Sequence, residues 1–272
     1  MPSSRALPVV LVLAGHDPTG GAGLIADREA VAACGGWAVT VPTALTVQSC
    51  RDVRRVVPVE PALIGEMVAE LDEFAIGAIK VGLLASAETL EAVVDVIQRF
   101  PDAPVVLDPV LTAGGGKTLS TESLIEACRA RLLPHVDIST PNRLELMHLS
   151  AEGKDDAARA AALMDMGCRA VLVTGTDAPA EGVDPDIVEQ VLFTPQGEWR
   201  WRWPRLPHRY HGSGCTLAAA LAARLAAGDA LALACERAQS HAWRALSRGW
   251  QPGEAQWLPQ RAGPESVFHR FS

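Results

Sequence analysis

What most constrains this chain is a rhythm in which short runs, apolar from end to end, alternate with longer stretches of helical period. The runs are "PVVLVLAG" (8–15), "WAVTVPTA" (37–44), "AIGAIKVG" (75–82), "PVVLD" (104–108), "VDIST" (136–140) and "RAVLVTG" (169–175). A strand with one wet face alternates apolar and polar residues, whereas a strand covered on both faces is apolar throughout. Between the runs lie "GLIADREAVAAC" (23–34), "ALIGEMVAEL" (62–71), "AETLEAVVDVIQRF" (87–100) and "DDAARAAALMDM" (155–166), each amphipathic at helical spacing. The pattern predicts an α/β fold, a central and mostly parallel sheet with helices on both faces.

One segment departs from the rhythm. "EQVLFTPQGEWRWRWPRL" (189–206) predicts two strands joined by a Pro-Gln-Gly turn, an antiparallel hairpin at the sheet edge. Its alternation puts Trp199, Trp201 and Trp203 on one face, packed on the body, and Arg200 and Arg202 on the other. An aromatic platform for nucleic acid would want basic neighbours beside the tryptophans, and a net charge of −8 also argues against a nucleic-acid partner. No apolar segment approaches the roughly 20 residues of a membrane span. The opening "MPSSRALPVVLVLAGHD" runs straight into a glycine-rich turn, so it reads as a first buried strand rather than a signal peptide. Six cysteines are scattered without a C-x-x-C pair, which excludes the usual zinc spacing and a disulfide framework and fits a cytoplasmic protein. With no repeat or linker, residues 1–272 read as one domain, the Pro- and Gly-containing stretch from about 250 forming a tail over the surface.

Two glycine-rich loops match familiar fingerprints only in part. Gly21-Ala22-Gly23-Leu24-Ile25-Ala26 satisfies the dinucleotide pattern, yet "VPTALTVQ" (41–48) lacks the acidic residue that would hold a ribose. "AGGGKT" (113–118) resembles the end of a Walker loop, but Leu111 stands where its first glycine belongs. Lys117 could reach a phosphate from that loop or be a solvated lysine, and Asp108 ends the preceding strand, where open α/β sheets place ligands. In "STPNRLEL" (139–146), Asn142 and Glu145 have capping-box spacing and also follow a strand end, where their oxygens could face a hydrated Mg²⁺. Finally, "HGSGCTLAAALAA" (211–223) sets Gly212, Ser213 and Gly214 before Cys215 at the mouth of a helix. Unpaired amides there make an anion site, and the helix dipole is expected to lower the thiol pKa of Cys215.

Taken in order, these pieces resemble the ribokinase-like superfamily, and within it the hydroxymethylpyrimidine/phosphomethylpyrimidine kinases of thiamine biosynthesis. The resemblance runs from "GHDPTGGAG" through "TALTVQ", "IKVGLLAS", "VVLDPVL" and "TPNRLE" to "HGSGCTLAAALAA". It implies ATP and Mg²⁺ as cofactors, a small pyrimidine as substrate and a homodimer as the assembly. It implies further that the amides of Gly212, Ser213 and Gly214 hold the transferring phosphoryl group, and that Cys215 takes the place of a sugar kinase's base. Gln48 would bind the pyrimidine, Asp27 with the Gly15–Gly23 loop would wall its pocket, and Asp108 and Glu145 would orient Mg²⁺. Asn142, Lys117, Thr174 and Gly175 would lie along the nucleotide phosphates. Departures are Ile25, where the family often has Gln, His16 in place of Ser or Thr, and Thr174-Gly175-Thr176-Asp177 where many members carry Lys-Gly-Gly-His. The alternatives are a pyridoxal kinase and a non-catalytic vitamin sensor, and the sequence does not decide between one phosphorylation and two.

Overall fold

A computed structural model describes residues 7–112, 119–150, 152–175 and 183–262. Nine strands form one sheet: β1 (Val9–His16), β2 (Trp37–Gln48), β3 (Val53–Pro58), β4 (Ile76–Val81), β5 (Val105–Leu107), β6 (Ile138–Ser139), β7 (Val171–Val173), β8 (Ile187–Thr194) and β9 (Gly197–Pro204). Their order is β3-β2-β1-β4-β5-β6-β7-β8-β9. The six strands from β2 to β7 in that order pair in parallel, while β3, β8 and β9 are antiparallel additions. The chain leaves β1 toward β2 and returns on its other side at β4, so a crevice opens where those strands end.

Alternate residues of each buried strand enter opposite cores. Leu11 and Leu13 join Ile79 and Val81 on one face, covered by α2 (Pro61–Ala69), α3 (Ala87–Gln98), α4 (Glu122–Ala127), α5 (Arg143–Leu149) and α6 (Asp156–Asp165). Val10, Val12 and Ala14 face the other way, against α1 (Gly23–Ala33), α7 (Ser213–Ala226) and α8 (Leu231–Ser247). In α7 every residue from Cys215 to Ala223 is buried, and five of those nine are alanine, which lets the helix lie between sheet and neighbours.

The edge hairpin forms as expected. Glu189 takes both Arg200 (3.2 Å) and Arg202 (2.9 Å) on one face, while Trp201 packs on the α7/α8 core and Trp203 stacks beside Trp243 on the other. Trp199 differs, being 41% exposed near the hairpin's turn. Two further differences concern elements that the sequence pattern did not give. Strand β3 is "VRRVVP", with only Val53 buried, because it sits at the outer edge of the sheet. The stretch after 250 is also more than a surface tail: Arg261 is 4% exposed and bonds Thr216 Oγ1 (2.8 Å), Glu29 (3.1 Å) and the carbonyls of Gly20 and Gly21.

The most buried charge sits between the first strands. Lys80 points out of β4 with no exposed surface, and its ammonium lies 2.9 Å from Asp27 of α1 and 3.6 Å from Asp108 after β5. A side chain at Gly82 would crowd this ammonium, so the bare backbone there makes its room. Burial raises the Asp27 carboxyl to about 6 against the pull of Lys80, and it is still the carboxylate at neutral pH. Burial alone would lower Lys80, but Asp27, then Cys215 and Asp108, outweigh it and hold the lysine above its ordinary value. Removing one partner of such a pair strands the other charge. Asp27→Asn is expected to destabilise the fold by about 3–5 kcal/mol in denaturant titration, and Asp27→Leu with Lys80→Met to recover much of that loss.

Candidate active site

The loop after β1 is built around one carboxylate. Asp17 accepts from the backbone and hydroxyl of Thr19 (both 2.8 Å) and from the amide of Ala22 (2.9 Å), the residue before α1. His211 Nε2 lies 2.8 Å from the same side chain, joining this loop to the segment that enters α7. Burial would raise Asp17, yet its hydrogen bonds from His211 and Thr19 outweigh that and hold it below the usual carboxylate range. Gly23, at φ +61°, packs on the carbonyl of Gly15, so the two glycines expected to wall a pocket touch each other.

Opposite this loop, Gly212 caps α7 in the left-handed region (φ +78°), and any Cβ there would overlap the Gly21 carbonyl oxygen. Thr216 returns its amide (3.0 Å) and hydroxyl (2.7 Å) to the Gly212 carbonyl. The helix therefore begins at Ser213, a turn earlier than its apolar run suggests, and Ser213, Gly214 and Cys215 occupy its first turn. First-turn amides have no partner within a helix and collect its positive end. Asp108 stands against this turn, its Oδ1 3.4 Å from where a Gly214 side chain would begin.

Two cavities meet at that turn. The smaller, about 200 Å³, is walled by the end of β1, by Thr46, Gln48 and Val53 of the β2–β3 ribbon, and by Lys80, Asp108 and Cys215. The larger, about 430 Å³, runs between β8, β9 and α8. Both are lined by Ser213 and Gly214, and both by Thr112, Asn142, Glu145, Thr174 and Tyr210. A site of this shape can seat two small molecules with one anionic group between them at the helix terminus.

Most residues singled out in the sequence gather here: Gly15, Gly23, Gln48, Asp108, Asn142, Glu145, Thr174 and the Gly212–Cys215 turn all line the smaller cavity. Asn142 and Glu145 also form a true capping box, Asn142 Oδ1 accepting from the Glu145 amide (2.9 Å) and Glu145 Oε2 from the Asn142 amide (3.0 Å). Lys117 lies outside the described residues. Three expectations need correcting. Asp27 does not wall the pocket; it lies beneath it, wholly buried, because Lys80 draws it inward. Gly175 lines neither cavity, and its bare Cα instead faces the Glu189 carbonyl. The Cys215 thiol is not lowered. Burial pushes it up to about 12, Asp108 and Asp27 add to the rise, and Lys80 with the Gly23 amide that donates to its sulfur only reduce it.

Lys80 and the Asp17–His211 bond were missed. A lysine inside an otherwise apolar strand was the available signal for the first, since a charge covered on both faces must find a counter-charge. For the second the sequence offers only two motifs 194 positions apart.

Comparison with known proteins gives the family. The family described as phosphomethylpyrimidine kinase matches residues 17–259. A hydroxymethylpyrimidine/phosphomethylpyrimidine kinase of Streptomyces coelicolor is 37% identical over 254 residues, covering 90% of this chain and 91% of that protein. Its counterpart in Salmonella typhimurium is 39% identical over 221 residues, 78% of this chain and 81% of that one. Among solved structures, the pyridoxal kinase of Staphylococcus aureus in complex with AMP-PCP and pyridoxal superposes with a TM-score of 0.83 at 26% identity, covering 94% of each chain. The fold is thus ribokinase-like, and the chain, a kinase, belongs to the phosphomethylpyrimidine kinase family.

Proposed function

We propose that this chain transfers the γ-phosphoryl group of ATP to the primary alcohol of 4-amino-5-hydroxymethyl-2-methylpyrimidine, and a second one to the resulting monophosphate. The observation that carries this is the junction of the two cavities at the first turn of α7. A nucleotide in the larger cavity and an alcohol in the smaller one would meet over the amides of Ser213, Gly214 and Cys215. Such a transfer needs positioning and charge neutralisation more than covalent help, and a donor aimed at the developing charge contributes about 3 kcal/mol in comparable oxyanion holes.

In the smaller cavity Gln48 offers a donor and an acceptor to the edge of the pyrimidine. Lys80, buried beneath, sets a positive charge under the phosphoryl position. Thr174 and Asn142 flank the same junction on the nucleotide side. Cys215 accepts the hydroxyl proton as attack proceeds; a thiol held near 12 is the thiolate only rarely, but that thiolate is a stronger base than an ordinary one. Mg²⁺ fits the residues present. Asp108 Oδ2 is buried and accepts no hydrogen bond among the described residues, the Lys80 ammonium lying 3.6 Å from it. Asp108 and Glu145 would hold an ion that keeps its waters and phosphate oxygens, and that ion would supply charge neutralisation along the triphosphate. A single kinase domain, acting as a cytoplasmic homodimer, completes the proposal; six free thiols are in keeping with a reducing compartment.

ADP release with Mg·ATP separates the substrates. Turnover is expected on the hydroxymethylpyrimidine and on its monophosphate. Turnover on pyridoxal alone would make the chain a pyridoxal kinase, and tight pyrimidine binding without turnover would make it a sensor. Cys215→Ala is expected to lower kcat by about 10²–10⁴-fold with little change in KM; equal loss in both would assign Cys215 to packing. Because the thiol is raised, its thiolate fraction grows about tenfold per pH unit well past pH 9, whereas an ordinary thiol, near 8.5, would level off there. kcat should therefore still be rising at pH 9.5, and a plateau near pH 8.5 would contradict the role given to this thiol.

A further inference from the structure

The stretch after 250 reaches the first turn of α7 through one side chain. Its backbone is fixed to the end of α8, Leu258 exchanging hydrogen bonds with Trp250 (2.7 and 3.0 Å) and the Gln260 amide donating to the Ala245 carbonyl (2.9 Å). From there Arg261 enters the gap between the β1 loop and α7. It lines neither of the two cavities, yet it bonds both of the walls that meet between them. Nη1 and Nη2 donate to the carbonyls of Gly20 and Gly21, Nη1 also to Glu29 (3.1 Å), and Nε to Thr216 Oγ1 (2.8 Å).

Two of these bonds bear on the same residue. The Gly21 carbonyl is the one that Gly212 packs on, and Thr216 Oγ1 donates to the Gly212 carbonyl (2.7 Å). The threonine bond alone is an ordinary back-bond within a helix. A hydroxyl has one hydrogen, however, and Thr216 commits it to Gly212, so the Arg261 N–H meets a lone pair and holds the hydroxyl in that rotation. A charged donor on the same oxygen also polarises the bond that the hydroxyl makes. The peptide plane carries the effect onward. Gly212 C=O and Ser213 N–H belong to one trans peptide and point in opposite directions, so whatever fixes the carbonyl aims the amide. We infer that Arg261 is a positioning residue for phosphoryl transfer, acting through Thr216 and the Gly212 peptide to aim the Ser213 amide at the transferring group. The inference rests on the kinase reading proposed above.

Steady-state kinetics of ADP release, run well below each variant's unfolding transition, tests this. Arg261→Lys keeps the charge and loses the fork that reaches both walls. Thr216→Val keeps the shape and loses the hydroxyl. Each should lower kcat about 10–100-fold, less than the roughly 10²–10³ for outright loss of such a donor, with KM for ATP and for the alcohol within about threefold. Thr216→Ser, which retains the hydroxyl, should stay within about twofold of the unmodified kcat. Arg261→Lys combined with Thr216→Val should lose less than the product of the two single losses, because both interrupt one relay. Unchanged kcat in either single variant at a lowered unfolding temperature, a loss in Thr216→Ser equal to that in Thr216→Val, or a double variant that loses the full product would each overturn the inference and leave the kinase reading standing. No ADP release by the unmodified chain with any of the alcohols named above would overturn both.

Discussion

One ammonium group holds the centre of this molecule together. Lys80 lies where four elements converge, with Asp27 at 2.9 Å and Asp108 at 3.6 Å, and its field reaches the Cys215 sulfur. A cation with no exposed surface interacts with its neighbours far more strongly than one in water, because little solvent screens it. It therefore fixes α1, the end of β5 and the start of α7 relative to β4. The same charge lies below the first turn of α7, where the unpaired amides also favour an anion. Lysine and helix terminus thus act in the same direction on whatever binds between the cavities.

Close backbone approach does the remaining positioning. Gly212 lies on the Gly21 carbonyl and Gly23 on that of Gly15, so the β1 loop and the α7 turn pack main chain to main chain. A side chain at Gly212 would push the two walls apart, and one at Gly23 would open the β1 loop itself. The carboxylate of Asp17 and the ring of His211 then tie the walls laterally, across a span of sequence that covers most of the chain. What results is a turn whose donors are held in place before any ligand arrives, which is where preorganised electrostatics acts most strongly.

The sheet was legible in the sequence because coverage on both faces leaves a local trace, an apolar run that does not alternate. β3 leaves no such trace: it is half-wet and holds two arginines, so only its pairing with β2 makes it a strand. The turn at 212–215 was legible from its glycines, and so was the cap of Asn142 and Glu145, which lines both cavities as well. Side-chain direction was not legible. Asp27 belongs to the right motif yet points away from the pocket, since its partner lies 53 residues on. The thiol of Cys215 was read from the helix terminus alone, whereas the protein around it, burying the sulfur beside two carboxylates, decides the sign of its shift.

Arg261 gives the site a position in time as well as in space. The carbonyl of Gly21 that this guanidinium engages is made 240 residues before it. At about 5–20 residues per second of synthesis, those residues take about 12–48 s to follow. Over most of that interval the β1 loop has neither His211 nor the α7 turn to pack against, and its peptide groups are served by water. The anion site is consequently among the last parts of the molecule to close, and a nascent chain holds most of its sheet well before it holds a place for a phosphoryl group.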